Sequence, residues 1–343
     1  MNQREPDFRN LQMVLDKQAP PRPTLFEYYM NEPLYRRLAG VDYRPAGDGY
    51  DEQRLVIQGF YHAGYDYATL HASYDFHFPV GERRYEDSMS LNEGGLIADR
   101  ASFDAIRGRF LDPKACRYDH LERLEEELPA GMKIIVDGPG GVLENVVNLF
   151  GFDNLCYLIY DDEQLVYDVF ELVGSSLVEY YTQAGRYPSV GAMISNDDWG
   201  FKTQTMLSVA DMRRFVFPWH REIVHAIHAS GRQAILHSCG YYRDIIDDVI
   251  EDMGYDARHS YEDAIVPVEE AYEELAGRIA VVGGLDMHFI STASPEEVYE
   301  RSRAMLERTA SRGGYALGTG NSVPEYVPEE NYLAMIRAAG IDL

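Results

Sequence analysis

The stretch Gly231-Arg-Gln-Ala-Ile-Leu-His237-Ser-Cys239-Gly240 has the pattern of a buried strand that ends in potential metal ligands. A short apolar run ends in a His and a Cys two residues apart, and residues i and i+2 of a strand point to the same side. If the run is a barrel strand, His237 and Cys239 leave its C-terminal end together, at the rim where barrel enzymes carry out their chemistry. One imidazole nitrogen and one thiolate would begin a zinc site. The alternative is a buried His beside an ordinary core Cys.

Strand-like and helix-like segments alternate on both sides of this stretch. Short apolar runs are separated by amphipathic helical patterns, and repeated β-then-α units predict a parallel sheet with right-handed crossovers. The predicted strands are Tyr65–Leu70, Lys133–Asp137, Gly191–Ser195, the run ending at His237, Tyr255–His259, Arg278–Gly283 and Gly313–Gly318.

The number of units predicts an α/β fold of the (β/α)8 TIM-barrel type. A barrel fits the length of 343 residues if one or two further strands lie within residues 70–130. An open, doubly wound sheet is the alternative, but no Gly-x-Gly-x-x-Gly fingerprint follows a first strand. Residues 1–60 are predicted to form a helical N-terminal extension. No Pro/Gly/Ser-rich linker divides the chain, so we expect a single domain over residues 1–343.

Composition narrows the classes of function. The formal net charge is −26 and the isoelectric point about 4.7, which argues against nucleic acid and anionic membranes as partners. The three cysteines, Cys116, Cys156 and Cys239, form no disulfide framework, and no apolar stretch is long enough to span a bilayer. We therefore expect a cytoplasmic protein.

Polar residues follow several of the predicted strands. Adjacent strand residues point to opposite faces, so only one of Asp197 and Asp198 is expected in the pocket, where it would position substrate or transfer a proton. The alternative is that both cap a loop before the next helix. Asp286 is expected to order the rim. The full set of strand-end residues is Asn196, Asp197, Asp198, Asp286, Asn321 and Ser322.

Taken in order, these strand ends resemble the uroporphyrinogen decarboxylase superfamily, and in particular its corrinoid-dependent methyltransferase branch. The similarity runs from about residue 20 to the C-terminus. It rests on the motifs Thr24-Leu-Phe-Glu-Tyr-Tyr-Met-Asn-Glu-Pro33, Asn196-Asp197-Asp198-Trp-Gly, Phe215-Val-Phe-Pro218, Leu236-His237-Ser-Cys239-Gly240, Val282-Gly283-Gly284-Leu285-Asp286 and Leu317-Gly-Thr-Gly-Asn321-Ser322.

The resemblance implies a zinc site. The branch places zinc on His-x-Cys plus a later Cys, so His237 and Cys239 match, whereas Asn321 stands where the later Cys would be. Glu262, from the next strand end, is a substitute ligand, because a His/Cys/Glu site with an open position suits zinc. The catalytic candidates are Asp197, Asp198 and Glu262, and the candidates for binding substrate or cofactor are Asn196, Asp286, Asn321 and Ser322.

The activity implied by the resemblance is transfer of a methyl group between a small methylated substrate and a corrinoid protein. A methoxylated aromatic compound that is O-demethylated is one such substrate. No Asp-x-His-x-x-Gly corrinoid motif occurs in the chain, so the corrinoid is expected on a separate partner protein. A homodimer is left open.

Two other functions are kept as alternatives. The first is a metal-free decarboxylase, but the stretch Phe26-Glu-Tyr-Tyr-Met-Asn-Glu-Pro-Leu-Tyr-Arg36 lacks the arginine-rich clamp that true uroporphyrinogen decarboxylases use for the carboxylates of their substrate. The second is a barrel that binds a small molecule without catalysis, for which the departure at Asn321 is the best support.

Overall fold

A computed structural model of the protein describes residues 4–41, 43–81 and 90–342. Seven parallel strands form one sheet whose spatial order is the same as the order along the chain. Each strand returns to the sheet through a helical connection, as parallel neighbours require. The strands are β1 (Tyr67–His71), β2 (Lys133–Asp137), β3 (Val190–Asn196), β4 (Gln233–His237), β5 (Ala257–His259), β6 (Ala280–Val282) and β7 (Tyr315–Ala316).

The α-helices precede, connect and follow these strands. Pro218 lies in the first turn of the helix Phe217–Ala229, where backbone N–H groups have no partner within the helix, so its lack of an N–H breaks no hydrogen bond. A π-helical turn, Met212–Val216, comes directly before this helix. The helices are α1 (Arg9–Leu15), α2 (Glu32–Ala39), α3 (Asp51–His62), α4 (Arg100–Ile106), α5 (Asp119–Arg123), α6 (Val142–Phe150), α7 (Phe152–Asp161), α8 (Glu163–Ala184), α9 (Val209–Asp211), α10 (Phe217–Ala229), α11 (Val268–Leu275), α12 (Met287–Thr292), α13 (Pro295–Thr309) and α14 (Glu329–Ala338).

The predicted α/β class and all seven predicted strands are confirmed. Strands buried on both faces read as continuous apolar runs, and every residue of β2 after Lys133 and of β4 after Gln233 is buried. The described residues contain seven strands rather than eight. Between β1 and β2 they form helices and turns, with residues 82–89 lying outside the described part of the chain.

The N-terminal region is not confirmed as a helical extension. It contains α1, α2 and most of α3, but the segment between α1 and α2 lies against both edges of the sheet. Leu25 forms a parallel bridge with Leu317, just after β7. The Tyr67 hydroxyl of β1 accepts a hydrogen bond from the Glu27 backbone N–H and donates one to the Glu27 carbonyl, both at 2.7 Å. The segment therefore contacts both β7 and β1, the two edge strands of the sheet, whereas one or two further strands were expected within residues 70–130.

Register aligns the polar strand ends. His71 is the partner of Asp137, Asn196 is the partner of His237, and His237 is the partner of His259. Cross-strand partners point to the same face of a sheet, so these side chains gather at the C-terminal end of the strands. Among the described residues, no helix combines the length and the apolar character that crossing a membrane requires.

Candidate functional site

Three side chains at the ends of β3 and β4 form a compact group, here called the metal cluster: Asp198, His237 and Cys239. One ligand atom from each lies within 4.8 Å of the other two. Asp198 follows β3 by two residues and Cys239 follows β4 by two residues, so pairing of the two strands brings them together. A carboxylate, an imidazole and a thiol leave one of four tetrahedral positions open, as catalytic zinc sites do. The donor set therefore fits zinc.

The loops after β3 and β4 hold the metal cluster in place. The Cys239 backbone N–H donates to Asp198 Oδ1 at 2.9 Å. Gly240 has a φ of 88°, and a Cβ atom there would lie 2.0 Å from the Gly200 carbonyl oxygen. Both the backbone conformation and the close approach of the two loops require glycine at position 240.

Hydrogen bonding determines which nitrogen of His237 faces the sulfur. His259 Nε2 lies 3.1 Å from the Thr319 carbonyl oxygen, which can only accept, so we assign the proton of His259 to Nε2. Its Nδ1 then accepts from His237 Nδ1 at 2.7 Å. Burial lowers the pKa of His259 to about 4 and that of His237 well below its usual value. His237 Nε2 therefore carries no proton, and its lone pair is available to a metal ion. It lies 3.7 Å from Cys239 Sγ.

The sulfur of Cys239 accepts two hydrogen bonds. Ser260 Oγ and Asn321 Nδ2 each lie 3.4 Å from Sγ. Burial, reinforced by the charge of Asp198, raises the pKa of the Cys239 thiol to about 12. The free thiol is thus protonated at neutral pH, and coordination to a cation is the effect that would give a thiolate here.

Asp197 points away from the metal cluster. Its fully buried carboxylate accepts the backbone N–H groups of Leu143 and Glu144, at 2.8 and 2.9 Å, in the first turn of α6. His220 Nε2 lies 2.9 Å from the same group. The geometry favours a capping role for Asp197, and only Asp198 of the pair faces the site, as the alternation of strand residues predicts.

Asn196 and Glu144 add two polar groups with unusual environments. Asn196 Nδ2 donates to Glu144 Oε2 at 3.3 Å, whereas Asn196 Oδ1 is buried and has no hydrogen-bond partner. Burial, helped by the charges of Asp197 and Asp198, raises the pKa of Glu144 to about 8. The site therefore contains a carboxyl group that is mostly protonated at neutral pH and an amide oxygen that lacks a donor.

A cavity of about 850 Å³ opens beside the metal cluster, within the usual range for small-molecule sites. Its lining includes Glu262, Asp286, Asn321 and Ser322 but none of the three clustered residues, and Asn321 connects it to Cys239 by a hydrogen bond to Sγ. Glu262 lies on this wall and not in the cluster. In place of the predicted His/Cys/Glu set, the structure brings together Asp198, His237 and Cys239.

Asp286 stands at the rim, where it was expected. Its Oδ1 accepts the Phe289 backbone N–H at the start of α12, and its Oδ2 accepts the Asp263 backbone N–H, both at 2.9 Å. Asp286 thus ties the loop after β6 to the loop after β5.

A second polar pair, His71 and Asp137, lies at the ends of β1 and β2 and was missed from the sequence. His71 Nδ1 is 2.8 Å from Asp137 Oδ1. Tyr28 donates to Asp137 Oδ2 at 3.0 Å, and its ring centroid lies 4.6 Å from that of His237. The sequence signal for this pair is a polar residue at the end of each of the two strands. Because β1 was predicted to stop at Leu70, His71 did not stand out as a strand-end residue.

Arg258 supports the metal cluster from behind. It is buried between the rings of Tyr242 and Tyr261 and donates to the carbonyls of Ser238, at 2.9 Å, and Ser260, at 2.6 Å. Ser260 has a φ of 85°, which is uncommon for a residue with a side chain. Arg258 thereby stabilises the strained residue that donates to the Cys239 sulfur.

A sequence profile described as uroporphyrinogen decarboxylase (URO-D) matches residues 112–340, well over half of the chain. The chain belongs to the uroporphyrinogen decarboxylase family. The matched region contains β2 to β7 and the whole metal cluster, whereas β1 and the N-terminal segment precede it. No curated protein matches the chain significantly.

One solved structure has a similar fold over nearly the whole chain. A methyltransferase from Methanosarcina mazei superimposes with a TM-score of 0.68 at 13% identity, covering 96% of this chain and 97% of that one. At such low identity the likeness concerns the fold alone. A chitinase from Chromobacterium violaceum ATCC 12472 is far less similar, with a TM-score of 0.34 and 11% identity over 86% of this chain and 96% of its own, and no argument rests on it.

Proposed function

We propose that the protein is a zinc-assisted methyltransferase that transfers a methyl group between a small methylated substrate and a corrinoid carried by a partner protein. The observation that carries the proposal is the convergence of Asp198, His237 and Cys239 at the C-terminal ends of β3 and β4. Family membership supports it, and so does a fold shared with a protein described as a methyltransferase. O-demethylation of a methoxylated aromatic compound is the reaction we favour.

The chain's own residues supply the ligands and their orientation. Asp198, His237 Nε2 and Cys239 Sγ would hold the metal; zinc, when bound, supplies Lewis acidity to the ether oxygen of the substrate. Hydrogen bonds to a charged group favour the charged form, so Ser260 and Asn321 stabilise negative charge on the sulfur.

The departure at Asn321 is compatible with this proposal. Asn321 replaces a second sulfur with an amide that donates to the Cys239 sulfur, and the carboxylate of Asp198 offers the third ligand atom. Carboxylate oxygen is an ordinary zinc ligand, so the donor count of three is preserved.

The lining of the cavity argues against decarboxylation of a porphyrinogen. Lys202 is the sole Lys or Arg among the described residues that line it, beside the acidic Glu262, Asp286 and Glu325. A substrate with many carboxylates needs several paired cations. A small, weakly charged substrate suits this cavity better.

Zinc analysis of Cys239→Ala tests the proposal. We expect wild-type protein to contain about one zinc per chain. Cys239→Ala should lose this zinc, because the variant lacks one of the three protein ligands. Cys156→Ala, which alters a half-buried cysteine on α7, should keep zinc. The same three proteins are then incubated with a methoxylated aromatic and reduced cobalamin, and methylated corrinoid is followed by absorbance.

Circular dichroism shows whether Cys239→Ala is folded, so that a loss of zinc or of methyl transfer can be distinguished from unfolding. A wild-type protein that binds no zinc when refolded with excess zinc, and that methylates no corrinoid, would rule out the proposed function. Retention of zinc by Cys239→Ala would show that the metal lies elsewhere.

A further inference from the structure

The His71–Asp137 pair presents hydrogen-bonding capacity that the fold itself does not use. The Asp137 side chain is only 2% exposed, whereas the His71 side chain is 43% exposed and covers it. Burial alone would lower the pKa of His71, but the charge of Asp137 and the hydrogen bond to it outweigh burial and raise the pKa. With Nδ1 directed at Asp137, Nε2 is the ring nitrogen of His71 that remains for a hydrogen bond to a ligand.

Tyr29 stands between this pair and the cavity. Its ring centroid lies 5.9 Å from that of His71. Its buried hydroxyl makes no hydrogen bond of ordinary geometry with the described residues, and burial together with the nearby carboxylate of Asp137 raises the pKa of Tyr29. Tyr29 also lines the cavity whose wall includes Asn321, the residue that contacts Cys239. The wall of the cavity therefore carries one residue that contacts His71, which is Tyr29, and one that contacts Cys239, which is Asn321.

The unpartnered atoms indicate the kind of group that would bind. Buried polar atoms without partners are rare and costly, and the buried oxygens of Tyr29 and Asn196 both lie at this end of the sheet. A hydroxyl group can accept from an imidazolium N–H and can also donate to an amide or phenol oxygen. A carboxylate can only accept, and at this end of the sheet it would be close to the carboxylates of Asp137 and Asp198.

We propose that His71 and Tyr29 bind a hydroxyl substituent of the substrate's aromatic ring while the metal cluster takes the methylated oxygen. The proposal rests on the proposed function and narrows its substrate to methoxyphenols. His71 is a substrate-binding residue in this arrangement, and Asp137, held by Tyr28, orients its imidazole.

Calorimetric titration of the purified full-length protein, without corrinoid, tests this assignment. The probes are methoxybenzene, the three methoxyphenol isomers and the three methoxybenzoates. We expect the best methoxyphenol to bind at least about tenfold more tightly than methoxybenzene, because one charge-assisted hydrogen bond is added. His71→Gln should abolish this preference and Tyr29→Phe should reduce it.

The matched control is His77→Gln, which changes an exposed histidine near His71 in sequence and should leave the preference unchanged. Tyr29→Phe removes one oxygen atom and serves if His71→Gln does not fold. The proposal is overturned if wild type shows no preference, if His71→Gln retains it, or if a methoxybenzoate binds best. Because no methyl transfer is measured, failure here is distinct from failure of the proposed function.

Discussion

The hydrogen bond between His237 and His259 decides what the metal cluster offers to a ligand. An imidazole that donates through one nitrogen must present a lone pair on the other. With His259 fixed by the Thr319 carbonyl at 3.1 Å, the lone pair of His237 is directed toward Cys239 and Asp198. The orientation of His237 thus depends on His259, which itself contributes no atom to the cluster.

His259→Leu should weaken zinc binding by about 10- to 100-fold, the usual cost of removing such a partner of a metal-bound histidine. The reason is that His237 would lose the acceptor that fixes its ring and its tautomer. Competition with a chromophoric chelator measures the affinity.

His259→Asn provides the matched comparison for that variant. An Asn oxygen lies close to the position of a histidine Nδ1 and can accept from His237, so zinc affinity should be largely restored. Equal zinc affinity in His259→Leu and wild type would contradict the assigned role.

At the level of secondary structure, β3 and α6 depend on each other through Asp197. The first N–H groups of a helix lack partners within it, and at α6 two of them are satisfied by a carboxylate from another strand end. The approach is close: a Cβ at Gly141 would lie 2.2 Å from the Asp197 carboxyl group. The end of β3, and with it Asp198, is thereby fixed relative to α6.

Asp197→Ala should lower the free energy of unfolding by roughly 3–5 kcal/mol, because His220 and two backbone N–H groups would be left buried without an acceptor. Urea denaturation measures this change. Asp99→Ala removes an exposed cap at the start of α4 and should lower the free energy of unfolding far less, because water can replace the lost hydrogen bonds. Similar losses in both variants would show that Asp197 contributes no more than an exposed cap.

The closure of the fold around the N-terminal segment leaves one carboxyl group without access to solvent. Glu27 is completely buried, and it accepts hydrogen bonds from Thr319 Oγ1 at 2.8 Å and from the Tyr28 N–H at 3.2 Å. Burial outweighs these bonds and raises its pKa from 4.5 to about 8. Between these two pH values the folded protein keeps a proton that the unfolded chain releases.

Stability should therefore fall as the pH rises from about 5 to 8, since the contribution of protonated Glu27 is complete below the unfolded pKa and is lost toward the folded pKa. The total change is on the order of a few kcal/mol. Glu27→Gln, which cannot ionise, should flatten the dependence of Tm on pH and be more stable than wild type at pH 8.

Glu144, whose pKa is raised in the same direction, keeps part of the dependence in Glu27→Gln. Glu300→Gln changes an exposed glutamate on α13 and should leave the pH profile unaltered. Identical profiles for wild type and Glu27→Gln would show that Glu27 is ionised in the folded protein.

The strands of the sheet could be predicted because strands covered on both faces are continuous apolar runs. The N-terminal segment could not, because Leu25 meets β7 in an isolated bridge and no periodic pattern marks so short a pairing. The predicted end of β1 at Leu70, one residue too early, was enough to hide the pairing of His71 with Asp137. Glu262 was favoured over Asp198 as third ligand because sequence order does not show which loop turns toward the cluster.

What followed from the sequence was local: His237 and Cys239 share one face of a strand, and Asp197 and Asp198 face opposite ways, because a strand repeats every two residues. The pairing of His71 with Asp137 and of His237 with His259 was decided only when neighbouring strands aligned. Register between strands depends on packing the whole sheet against its helices, and no local spacing encodes it.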